Sequence, residues 1–139
     1  LEHDVFVWSF NGYNRPKGKD YEIAEKNFTD VLKNYLSAKK NIIIEGALVK
    51  RTRNDPFNIS KQIKLTRQKG YKVIQILLTA NLSTCKKRMK KREWIVKKKE
   101  FEYLQNMTDK TRTDDEIVID TTKDSMIKTK NQIIRIINS

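Results

Sequence analysis

Between Lys86 and Lys99 the sequence sets nine lysines and arginines against one acid, Glu93. Within that run Arg88 and Arg92 stand four residues apart, which is one face of a helix. Guanidinium groups so placed can pair with phosphate oxygens, and arginine suits the task better than lysine because its planar fork binds two oxygens at once. The competing reading is a solvated basic face, since Leu82, Cys85, Met89 and Ile95 or Val96 keep only a thin apolar seam along the stretch. Trp94, Phe101 and Tyr103 interleave with the charges, either as stacking faces for bases or as packing that seats the helix. Asp4 can accept the proton of a hydroxyl, or be a frayed, inert terminal residue. Glu45 closes an apolar run, where it can order a substrate or a metal-bound water, or cap a helix. Arg51 and Arg53 follow in a loop, as a clamp for a substrate phosphate or as an ordinary solvated turn. His3 is the only histidine and has no partner cluster, so no metal held by protein side chains is expected.

The elements that must position these groups can be read from periodicity and punctuation. Ala24, Phe28, Val31, Leu32, Tyr35 and Leu36 recur at helical spacing and predict a helix from an Asp20 cap to about Lys40, closed by Lys39 and Lys40. Asn41 to Gly46 is a β-branched run that predicts a strand buried on both faces. Asp55-Pro56 and Gly70 bracket a second helix. Tyr71 to Ala80 predicts another buried strand, and Asn81 to Thr84 offers caps for a third helix that continues through Lys98 or beyond. Ile117 to Thr121 predicts a last strand, and Asp124 caps a final helix whose Met126, Ile127, Ile133, Ile134 and Ile137 form its buried stripe.

Strands that alternate with helices and read as continuous apolar runs imply an α/β fold, three layers with a parallel sheet covered on both faces. Ligands of such sheets sit beyond the carboxyl ends of the strands. The positions singled out by that rule are Asp4, Glu45-Gly46, Thr79-Ala80-Asn81 and Asp120-Thr121-Thr122. One domain over 1–139 is expected, with a basic lid region over 85–112.

The layout of Leu1-Glu2-His3-Asp4, of Ile42 to Gly46, of Val73 to Thr79 running into Cys85-Lys86-Lys87-Arg88-Met89-Lys90-Lys91-Arg92, and of Ile117-Val118-Ile119-Asp120-Thr121 resembles the P-loop small-molecule and nucleic-acid kinases. That group includes polynucleotide kinases, zeta toxins, chloramphenicol phosphotransferases and adenylylsulfate kinases. The resemblance implies a P-loop NTPase-like sheet, ATP and Mg²⁺ as cofactors, and a hydroxyl-bearing or phosphorylated substrate as partner. It further implies that Asp4 meets the acceptor hydroxyl, that Arg88 and Arg92 close over the nucleotide phosphates, and that Asp120 and Thr121 lie beside the adenine. Glu45, Arg51 and Arg53 are then the substrate-binding residues.

The phosphate-binding loop of that group, Gly-x-x-x-x-Gly-Lys-[Ser/Thr], is not found and is expected upstream of the Leu1 strand, or on another polypeptide. The nearest stretch, Gly12 to Asp20, has five residues between its glycines, a proline without an N–H at Pro16, and Asp20 where a hydroxyl should face Mg²⁺, so it reads as a surface turn.

Thirty Lys and Arg stand against 17 Asp and Glu, a formal charge of +13. Such a field concentrates nucleotides, phosphorylated substrates or nucleic acid at the surface. No apolar run approaches the ~20 residues that span a bilayer, and no signal peptide is evident, so a soluble cytoplasmic protein without a membrane partner is expected. The lone Cys85 is expected to be reduced and structural. The sequence therefore predicts an ATP-dependent phosphotransferase acting on a small-molecule or nucleic-acid hydroxyl. The alternative is a non-catalytic basic nucleotide- or nucleic-acid-binding module, and a sheet left open at its edge permits an oligomer.

Overall fold

The computed structural model describes residues 19–46, 59–90, 99, 102, 106 and 114–139. The chain divides into two compact units, Leu1–Val73 and Ile74–Ser139. The described residues are mixed α/β, with four helices of nine residues or more and one parallel strand pair.

In the first unit, α1 spans Lys19–Ser37. Ala24, Phe28, Leu32 and Leu36, four residues apart along one stripe, are all buried, and Phe28 and Leu32 are the largest side chains fully out of water. Removing each of those two from solvent contributes about 1.5–3 kcal/mol. Of the other expected stripe residues, Val31 is half-buried and Tyr35 is exposed. Asp20 lies inside the first turn with Glu22, not ahead of it as a cap; a carboxylate there still complements the positive end of the helix.

The helix ends in a paired turn. Lys40 N–H donates to Tyr35 O and Lys39 N–H to Leu36 O, and Lys39 adopts φ 53°. This is the bonding of a Schellman motif, built on a lysine where glycine is favoured. Lys39 and Lys40 therefore follow the helix and do not form its last turn.

The second helix, α2, spans Ser60–Gln68; the expected Asp55-Pro56 start lies outside the described residues. Its end is as the sequence predicts. Gly70, at φ 81°, is followed by Tyr71, whose N–H reaches back to Thr66 O, while Gly70 N–H donates to Arg67 O.

Two side chains, one on α2 and one just after it, fasten this segment to α1. Buried Gln62 donates from Nε2 to Thr29 Oγ1 at 3.1 Å, and Tyr71 donates its hydroxyl to Leu36 O at 2.9 Å.

The strand expected over Asn41 to Gly46 is a correction. Residues 41–44 form no strand, Glu45 makes a single bridge, and Ile43 is 76 % exposed. A β-branched run is compatible with a strand without compelling one, because strand propensity depends on context.

The second unit holds the sheet. Strand β1, Gln75–Thr79, pairs in parallel with β2, Glu116–Asp120, in the register Gln75 with Glu116 through Thr79 with Asp120. The expected run 71–80 is thus trimmed to five residues, and the expected run 117–121 is shifted by one to 116–120. At the amino end Gln75 Nε2 donates to Asp115 Oδ2 at 2.6 Å.

Helix α3 spans Leu82–Lys90 and α4 spans Met126–Asn138. Ser125 caps α4, accepting from Lys128 N at 3.2 Å. The expected cap, Asp124, instead pairs with Lys128 Nζ at 2.6 Å. The expected buried stripe of α4 also needs correction. Met126 and Ile127 are 87 % and 73 % exposed and Ile134 and Ile137 are exposed, while the half-buried face is Thr129, Gln132, Ile133 and Ile136. Helical spacing defines both faces of this isoleucine-rich segment, and only the approach to the sheet selects one.

Candidate functional site

Parallel strands deliver their carboxyl ends to the same side, so Thr79 and Asp120 finish together and the residues after them meet. Thr121, 7 % exposed, continues the ladder, donating to Thr79 O from its N–H and from its hydroxyl, both at 2.8 Å. From the other loop, Asn81 N–H donates to Thr122 Oγ1 at 2.9 Å and Thr84 Oγ1 donates to Thr122 O at 3.4 Å. Asn81 starts α3 in the way its type predicts, its Oδ1 accepting from Thr84 N at 2.8 Å.

Arg88 lies in the second turn of α3 and reaches back over this junction. Its Nη1 donates to Thr121 Oγ1 at 2.9 Å and its Nη2 to Thr121 O at 2.6 Å. Both acceptors are neutral groups, and Arg88 is exposed. Lys86, Lys87 and Lys90 are exposed on the same helix, which carries no acid.

Asp120 points into solvent. The Thr122 hydroxyl and then the Thr122 N–H, whose bond to Oδ1 is 2.8 Å, hold its carboxyl below the usual range, with a smaller contribution from Lys123. Cys85 is a free, half-buried thiol that donates to Ala80 O at 3.6 Å.

Of the residues singled out in the sequence, Arg88, Asp120 and Thr121 come together at the strand ends. Glu45 is exposed in the first unit. Asp4, Arg51, Arg53 and Arg92 lie outside the described residues, as does the Gly12 to Gly18 turn. Thr79, Asn81, Thr84 and Thr122 form the frame of the site, and the sequence signal for them was the clustering of hydroxyl and amide residues just past each strand.

Beside the junction, an open groove of about 370 Å³ runs between β2 and α4, lined by Ile117, Ile119, Gln132 and Arg135 among others. Among the described residues, no three His, Cys, Asp or Glu side chains converge as metal ligands, and no helix is long and apolar enough to cross a membrane. Comparison with protein-family models, with curated proteins and with solved structures finds no match to this chain.

Proposed function

We propose that this chain is an ATP-dependent phosphotransferase of P-loop NTPase-like fold, with Arg88 as a group that contacts nucleotide phosphate. The observation that carries the reading is the fork of Arg88 anchored beyond the carboxyl ends of two parallel strands, the position where open α/β sheets bind ligands. An arginine there stabilises charge that spreads over phosphoryl oxygens during transfer. The fit to a nucleotide rests on the donor set: an exposed guanidinium fork is matched to triphosphate oxygens. Among the described residues no cluster of ligands for Mg²⁺ converges.

The test is transfer of label from γ-labelled ATP to a panel of nucleosides, sugars and 5′-hydroxyl oligonucleotides, together with ATP titrations of the wild type and Arg88→Ala. Transfer to one acceptor class is expected, with ATP affinity about tenfold or more weaker in the variant, the value of a charged hydrogen-bond pair. Absence of transfer to every acceptor sinks the proposal, and so does an ATP affinity unchanged in Arg88→Ala.

The exposed Lys86, Lys87 and Lys90 beside Arg88 favour a second reading, a non-catalytic module that binds nucleic-acid backbone. It predicts single-stranded RNA binding that weakens steeply with salt, and a flat salt dependence removes it.

A further inference from the structure

We propose that Thr121 is a positioning residue that latches Arg88 into a preformed oxyanion fork for a phosphate of a nucleoside triphosphate, and does not itself touch the nucleotide. The inference rests on the phosphotransferase reading and replaces a swinging arginine with a fixed one.

The hydroxyl of Thr121 has one hydrogen, and Thr79 O takes it at 2.8 Å. Its oxygen accepts Arg88 Nη1, and its carbonyl accepts Arg88 Nη2 and, at 3.3 Å, Asp124 N–H. With its donor occupied and its side chain buried, Thr121 has nothing left to offer a ligand as a donor. What it does offer is placement. Arg88 is held at two points by a residue that itself donates twice to Thr79 O of β1, so the fork is referenced to the sheet and not to a loop.

The geometry of the guanidinium makes the latch useful. Nη1 and Nη2 engage Thr121 across the far end of the group, which leaves the side edge, Nε–H with the second hydrogen of Nη2, as a parallel donor pair of the kind that binds phosphate bidentately. Because the latch is made of a hydroxyl and a carbonyl, it fixes the side chain without neutralising it; a carboxylate in the same place would fix it and cancel its charge. Rotamer freedom is then lost on folding and not on binding.

The experiment is a double-mutant cycle read by ATP titration. Arg88→Ala and Thr121→Val are each expected to weaken ATP binding about tenfold, Thr121→Ser to stay within about twofold of wild type, and the double variant to be no weaker than Arg88→Ala alone, since the two residues act as one unit. A merely structural role for Thr121 would give additive losses, and that result overturns the latch. So does loss in Arg88→Ala without loss in Thr121→Val, which leaves the phosphotransferase reading standing. No loss in Arg88→Ala overturns both. Should Thr121→Val not fold, the wild type provides a second measurement by ¹⁵N NMR without ATP. Separate, slowly rotating Arg88 Nη signals are expected, and signals averaged as in free arginine overturn the latch.

Discussion

Thr121 donates twice to one acceptor, the carbonyl oxygen of Thr79, from its backbone N–H and from its hydroxyl, each at 2.8 Å. The parallel ladder therefore runs one residue beyond β2. Everything placed at that end of the sheet, from the loop at Thr122 to the guanidinium of Arg88, is referenced to this pair of hydrogen bonds.

The start of α3 belongs to the same frame. Asn81→Ala removes the acceptor of Thr84 N–H and is expected to cost about 1 kcal/mol, while Asn81→Asp retains the cap. Urea denaturation of the two variants measures the difference. Equal stabilities would show that the cap contributes nothing.

Asp120 supplies a pH dependence of known sign. Its carboxyl titrates below its ordinary value because the Thr122 hydroxyl and N–H bind the charged form. The stabilisation is complete above the ordinary carboxylate value, about 4, and is lost as pH falls through the lower folded value. A ¹³C carboxyl titration should place the Asp120 midpoint below that of an aspartate in a short peptide, and Thr122→Ala should raise it. A midpoint that does not move in Thr122→Ala removes the hydroxyl as its cause.

The two helix ends of the first unit predict opposite responses to glycine chemistry. Lys39 sits at φ 53°, where a side chain costs about 1–2 kcal/mol, so Lys39→Gly is expected to stabilise the protein by about 1 kcal/mol or somewhat less. Gly70 sits at φ 81°, and a Cβ built there meets no atom within 4 Å. Gly70→Ala should therefore cost about 1 kcal/mol through backbone strain alone. Thermal denaturation decides both, and a change of the same sign in the two variants contradicts the account.

Gln62 tests how the two helices are joined. Its Nε2 is bonded to Thr29, while its Oε1 is buried without a partner. Gln62→Met exchanges a bond of about 1 kcal/mol for relief of an unpaired buried acceptor, and is expected to stay within about 1 kcal/mol of wild type. Gln62→Ala leaves a cavity as well and should be clearly less stable. Chemical denaturation of the pair measures this, with Phe28→Ala as the reference for a core deletion, expected at about 3–5 kcal/mol.

Local signals in the sequence determined a good deal. The stripe Ala24, Phe28, Leu32, Leu36 marks the buried face of α1 because side chains four apart share one side of a helix. Gly70 marks the end of α2 because a left-handed residue favours glycine. Asn81 marks the start of α3, since a short amide can bond the free N–H groups of a first turn. The runs around Ile76 and Val118 mark strands, and the cluster Asp120-Thr121-Thr122 marks the place to look for a site.

Tertiary structure decided what depends on a partner. Ile42 to Ile44 have the composition of a strand, yet they are not in one, because strand propensity is set by context as much as by residue type. The isoleucines of α4 allow more than one buried face, and the fold leaves Ile133 and Ile136 half-buried and Met126 and Ile127 exposed. No spacing rule links residue 88 to residue 121. They meet because parallel pairing brings the ends of β1 and β2 together, and because α3 leaves β1 at a distance one arginine can span.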